Sequence, residues 1–337
     1  MSVRVQSLPL SVVGCVLAAA CATTEAPSGR FGATPVPFRG GLPEARDKSS
    51  EGDLAGALEV ADRRVAEDPT DGMGWYTLGT LQATLGDFAA ARTALIRCVQ
   101  VDASHAAAWN NLGLVELELG ADVNAEAAFK KAAALRPEDT APWVNLAALK
   151  SRQGYFSDAL AAYDEALFRQ PQDKELAVAH AGSLVRAGRH LDAFDTLAAT
   201  LETYGDDVKG LVIQSIALRS LERFAEARER AERAAALAPN DPAPSLAIAV
   251  AADLGGAEGV EALYQRAIAV AEASRAPDAA EVLLSAHYNH GAWLEEQKRF
   301  DDAQAAYRRY LALAVGETKE RRNVTTRIER IQSGETR

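Results

Sequence analysis

The chain has 337 residues, a formal charge of −11 at pH 7 with a pI near 5.1, and is 48% hydrophobic and 25% charged. Such acidity argues against a nucleic-acid binder, which needs a basic stripe to neutralise phosphates, and disfavours docking on anionic lipid head groups. The length allows two or three globular domains, but one repeating pattern claims nearly all of it.

Residues 1–20 are expected to be a signal peptide. Arg4 gives a small positive start, and Leu8 to Ala20 form an apolar run of 13 residues. A spanning helix needs about 20 apolar residues, so the run suits the core of an export signal. It ends in Leu17-Ala18-Ala19-Ala20-Cys21, which resembles the bacterial lipobox, with Ala18 where leucine is usual. The resemblance implies cleavage before Cys21 and acylation of that residue with palmitate-like chains, which would anchor the protein firmly. Ala22 after the cysteine implies sorting to the outer membrane, with the lipid as the sole membrane contact. Cleavage near Ala20 by the ordinary signal peptidase would instead release a soluble periplasmic protein. With Cys21 lipidated, Cys98 has no disulfide partner and is expected to be a core thiol.

Residues 21–41 are dense in Pro, Gly, Thr and Ser, from Ala26-Pro27-Ser28-Gly29 to Arg39-Gly40-Gly41. Such a stretch buries too little apolar surface to order itself and reads as a tether, with a root-mean-square span of roughly 25 Å.

From 42 to 316 the chain repeats. Ala57, Ala91, Ala125, Ala159, Ala193 and Ala227 recur every 34 residues, and Trp75, Trp109 and Trp143 precede three of them by 16. A fixed period in this range means one helical hairpin copied and stacked. Gly86, Gly120, Gly154 and Gly188 keep the period as left-handed caps of first helices, and Pro69, Pro137, Pro171 and Pro239 follow second helices. Copies begin near 38, 72, 106, 140, 174, 208 and 242, with a last near 284. Ala303 stands 76 residues from Ala227 instead of 68, so about eight residues are inserted, expected in the second helix and its loop around Ala271 to Leu284. Charged residues 317–337 suit a capping helix and tail.

The two crispest copies carry Trp109, Leu112-Gly113, Ala125, Phe129, Ala132 and Pro137, then Trp143, Leu146-Ala147, Ala159, Tyr163, Ala166 and Pro171. On these residues the chain resembles the tetratricopeptide repeat family. The resemblance implies an all-α, right-handed superhelical solenoid of about 7–8 antiparallel helix pairs. In that family the first helices line a concave face where partners lie. The face would show Tyr76, Asn110, Leu114, Leu117, Val144, Val178, Val185, Val212 and Ile216, edged by Arg152, Arg186 and Arg219. Two readings follow: a groove for an amphipathic or extended partner segment with some acidic residues, or a strip that the winding buries against itself. The lysine–asparagine clamp by which chaperone-binding relatives hold a terminal carboxylate is not expected, because its positions carry Asn110, Leu114, Val144 and Ala148. Asn111, Asn145 and Asn289 would be the family's structural asparagines.

There is no glycine-rich phosphate loop, nucleophile elbow or zinc-protease motif. His287 and His290 sit three apart on a helix, but no third metal ligand is spaced to join them. The expectation is a non-enzymatic scaffold with no cofactor, metal, nucleic acid or small-molecule substrate. It would be lipid-anchored in the outer membrane, bind protein in its groove and assist an envelope assembly in the manner of a pilotin. The alternative is a soluble periplasmic or peptidoglycan-related adaptor.

Overall fold

The computed structural model describes residues 41–316 and 318–334. The signal peptide, Cys21 and the tether up to residue 40 lie outside them. Among the described residues there are 17 helices and no strand, and none of the helices is long and apolar enough to cross a membrane.

The chain divides into two compact units, with Leu176 ending one and Ala177 beginning the other. The N-terminal unit holds α1 (Pro43–Ser50), α2 (Leu54–Glu67), α3 (Gly72–Thr84), α4 (Phe88–Val101), α5 (Ala106–Glu118), α6 (Asp122–Leu135), α7 (Ala141–Arg152) and α8 (Phe156–Arg169). The division falls within α9 (Lys174–Arg186). The C-terminal unit continues with α10 (His190–Tyr204), α11 (Val208–Ser220), α12 (Phe224–Leu237), α13 (Pro242–Leu254), α14 (Val260–Ala273), α15 (Ala279–Glu296), α16 (Phe300–Leu313) and α17 (Lys319–Ser333). Each unit is a row of helix pairs packed in chain order, as a solenoid requires.

The periodic residues sit where the pairs cross. Ala57, Ala91, Ala125, Ala159, Ala193, Ala227 and Ala303 are all 0% exposed, because only a small side chain lets two helices approach that closely. The same crossing needs glycine on the first helix. A Cβ on Gly113 would stand 2.5 Å from the Phe129 ring, and one on Gly291 would stand 2.7 Å from Tyr307. Aspartates cap several helix starts: Asp53, Asp87 and Asp207 each accept from a backbone N–H three residues on. His105 does the same for α5, its Nδ1 accepting from Ala108 N at 3.1 Å.

The left-handed cap glycines recur as expected at φ +82°, +75°, +82° and +77°, and Glu222 (φ 60°) and Lys298 (φ 58°) fill that place in two later repeats. The inserted residues lie mostly in the expected stretch, 271–284, but contrary to expectation they do not lengthen the second helix. Helix α14 keeps the usual 14 residues, whereas α15 runs 18 against 13 for α13. Five of the extra residues therefore lengthen a first helix, two widen the turn before α14, and one joins the loop after it. Helix α17 closes its unit by burying Val324, Ile328 and Ile331 with Tyr307 and Tyr310.

Candidate partner-binding surfaces

The expected strip is largely closed in both units. In the N-terminal unit Tyr76, Asn110, Leu114 and Leu117 are buried, and in the C-terminal unit so are Val178, Val185, Val212, Ile216 and Arg219. Of the twelve residues named from the sequence, Val144, Arg152 and Arg186 keep surface. Of the two readings of the strip, these burials fit the one in which its side chains are covered within the array. Successive first helices pack side by side, so their facing side chains cover one another.

Hydrogen bonds fasten that closure in the N-terminal unit. Asn111 Nδ2 donates to Thr80 Oγ1 at 3.2 Å, and Asn145 Nδ2 donates to Asn110 Oδ1 at 3.0 Å. Each bond runs from one first helix to the first helix of the preceding repeat. Buried Glu116 accepts from Arg92 Nε at 2.9 Å. Arg152, expected to edge a groove, is engaged with Asp122 at 2.7 Å. Trp75 and Trp109 each donate to the carbonyl six residues before them, at 2.9 and 3.0 Å, closing the loop that enters the repeat. At Trp143 the equivalent carbonyl, of Pro137, is taken by Arg169, whose guanidinium also lies over the Trp143 ring. Cys98 is fully buried, and burial pushes its thiol up to about 12, so it is an unreactive packing group.

The C-terminal unit differs. Between α13, α15 and α17 lies a cleft of about 450 Å³, with Val250, Asp253, Tyr288, Asn289, Trp293 and Arg327 among its walls. Two tyrosine–carboxylate pairs frame it. Tyr264 Oη donates to Asp253 Oδ2 at 2.8 Å, and Tyr307 Oη donates to Glu295 Oε2 at 2.8 Å. Arg327 of α17 then donates to Glu295 at 2.7 Å and to Tyr307 Oη at 3.2 Å. Burial raises both tyrosines far above the ordinary phenol range, and the neighbouring carboxylates add to it, so both stay neutral donors. Burial also lowers the Arg219 guanidinium to about 10; it lies close enough to Tyr264 to feel that ring and finds no carboxylate partner among the described residues. His287 is buried, and His290 stacks on Tyr264 and Trp293. Burial lowers both imidazoles, which suits packing groups. No group of three metal-binding side chains occurs among the described residues.

None of the cleft residues was in the strip named from the sequence. No short motif marks a tyrosine on one helix and a carboxylate at the end of another. The usable signal was Asn289, which shares the register of Asn111 and Asn145 but follows a repeat of different composition.

Rows of paired helices with alanine at each crossing define an α-helical repeat scaffold. Residues 76–140 and 145–208 match the family model described as tetratricopeptide repeat, and this stretch carries tetratricopeptide repeats. Among solved structures it is similar to a tetratricopeptide repeat protein from Parabacteroides merdae, at 16% identity and a TM-score of 0.61, over 75% of this chain and 96% of that one. It is similar to PilW, a widely conserved type IV pilus biogenesis factor, at 20% identity and a TM-score of 0.53, over 59% and 93% of the two chains. The corresponding figures for PilF of Pseudomonas aeruginosa are 16%, 0.51, 59% and 91%. At these identities the likeness shows the fold alone. No curated protein matches the chain by sequence. Tetratricopeptide repeats are generally non-enzymatic scaffolds, and this chain has the architecture of a scaffold for protein–protein interaction.

Proposed function

We propose that the protein is an exported, lipid-anchored scaffold that holds a segment of a partner subunit while an outer-membrane assembly forms, as a pilotin does. The observation that carries this reading is Leu17-Ala18-Ala19-Ala20-Cys21 behind a 13-residue apolar run, placed directly before a repeat array. The fold shared with PilW, a type IV pilus biogenesis factor, supports it by analogy of fold. In this reading residues 1–20 are removed, Cys21 carries the lipid, 21–41 is the tether, 42–316 is the repeat array and 317–337 is the cap and tail. Partner contact then starts from the parts of the strip that keep surface, Val144, Arg152 and Arg186.

Mass spectrometry of the mature amino terminus, with fractionation of membranes, tests the address. An acylated Cys21 in the outer-membrane fraction is expected; an unmodified Met1 or Ser2 would sink the export reading, and a free amino terminus near Ala22 would replace it with soluble export. Deleting the gene tests the role. Loss or mislocalisation of an envelope multimer such as a secretin is expected, and normal multimers with normal surface pili would contradict it.

A further inference from the structure

Asn111, Asn145 and Asn289 stand at the same place in their repeats, and in two of the three the side-chain Nδ2 has an acceptor. Asn111 and Asn145 donate to Thr80 and Asn110 on the preceding first helix. In the repeat that precedes α15, the positions of Thr80 and Asn110 are held by Val250 and Leu246, neither of which can accept a hydrogen bond. Asn289 is only 2% exposed, and its Nδ2 has no partner among the described residues. Tyr288 beside it is 5% exposed, and its hydroxyl is unpartnered in the same way. Both residues line the cleft. Buried polar groups are nearly always paired, so two orphans facing one cavity mark a place where a ligand completes the bonding.

The surroundings select the ligand. The cleft is lined by Asp253, Glu295 and Glu296 and by Lys298, Arg327 and Arg330, three charges of each sign. Glu295 is already bonded to Arg327 and Tyr307, and Asp253 to Tyr264. An anion entering would meet carboxylates, and a cation would meet guanidinium groups and the N–H of Asn289. A neutral acceptor meets neither penalty, and a backbone carbonyl is the commonest neutral acceptor a protein offers. Val250, Leu254, Trp293 and Phe300 supply apolar wall beside it. The volume, about 450 Å³, lies within the usual range for a formed pocket and holds one or two residues.

We propose that this cleft receives a neutral, extended stretch of a partner polypeptide, whose backbone carbonyl accepts from Asn289 and Tyr288 and whose apolar side chain lies against Trp293. The proposal rests on the protein-binding part of the reading above and needs neither the lipid nor the strip. It also differs in physics from an arginine-edged groove, since binding of a neutral amide is insensitive to salt.

Protein labelled with 5-fluorotryptophan gives a resonance for each of its four tryptophans, and Trp293 is the one on the cleft. The probes are N-acetyl-Gly-Leu-Gly-amide and the same peptide with Asp or Lys in place of Leu. The leucine peptide is expected to shift the Trp293 signal saturably, leave the other three in place, and bind within about twofold from about 0.05 M to about 0.5 M salt. Asn289→Leu removes the donor with little change of volume, and Tyr288→Phe removes only the hydroxyl. Asn289→Leu is expected to weaken binding by about tenfold and Tyr288→Phe by about fivefold, with melting temperatures no lower than wild type. A silent Trp293 signal, tighter binding of either charged peptide, or full binding by both variants would overturn the proposal. Acylation of Cys21 is read by a separate measurement, so failure here leaves the address standing and failure there leaves the cleft standing.

Discussion

The two units use the same asparagine register to opposite ends. In the N-terminal unit Asn111 and Asn145 lock one first helix to the next, and the strip between them is shut. In the C-terminal unit the apolar Val250 and Leu246 leave Asn289 without an acceptor, and a cleft opens beside it. The lesson is that a repeat residue has no fixed role. Its partner on the preceding copy decides whether it staples the scaffold or faces a guest.

The comparison can be broken first through the packing that makes the N-terminal unit rigid. Phe129 is fully buried against Gly113, and Phe129→Ala is expected to cost about 3–5 kcal/mol of unfolding free energy in urea. A loss below about 1 kcal/mol would mean that this crossing is loosely packed. In the C-terminal unit the corresponding weak point is polar. Tyr307→Phe removes the hydroxyl that joins Glu295 and Arg327, and is expected to cost about 1–2 kcal/mol and to speed hydrogen exchange in α17. Unchanged exchange in α17 would show that Val324, Ile328 and Ile331 hold the helix alone.

A smaller effect should appear with pH. Burial holds His105 below the ordinary imidazole value, as its Nδ1 caps α5 and its ring lies 4.6 Å from that of Tyr76. In the unfolded chain this histidine takes up a proton near pH 6.5. Because its folded pKa is lower, the unfolded state binds more protons in the interval beneath 6.5, so stability is full above that value and falls as pH drops through the interval. The melting temperature should therefore decline between about pH 7 and pH 5, and less steeply in His105→Asn, which caps without titrating. His190, His287 and His290, also lowered by burial, push the C-terminal unit in the same direction. Equal slopes for wild type and variant would remove His105 from this account.

Much of the fold was legible in the sequence because the legible residues answer to local geometry. Ala125, Gly113 and Phe129 must be what they are wherever two helices cross at that distance, so their spacing alone exposes the pair. The cap glycines were read for the same reason, and Glu222 and Lys298 were missed because strained non-glycine residues carry no such mark. The inserted residues were counted from the slip of Ala303 but assigned to the wrong helix, since periodicity reports a total and not its distribution. Exposure was harder still. Leu117, Val185 and Ile216 were named from their register on first helices, but whether a side chain is open depends on the helix beside it. The cleft escaped notice because Tyr264, Asp253, Tyr307 and Glu295 are joined only by the packing of separate helices.

The central claim, that one asparagine register is a staple in one unit and a free donor in the other, is tested most directly by a pair of substitutions. Asn145→Leu and Asn289→Leu are each measured by urea unfolding against wild type. Asn145→Leu should cost about 1–2 kcal/mol, because it breaks a bond and strands Asn110 Oδ1, whereas Asn289→Leu should cost nothing or stabilise, because it removes a group with no partner. Equal losses at the two positions would contradict the account.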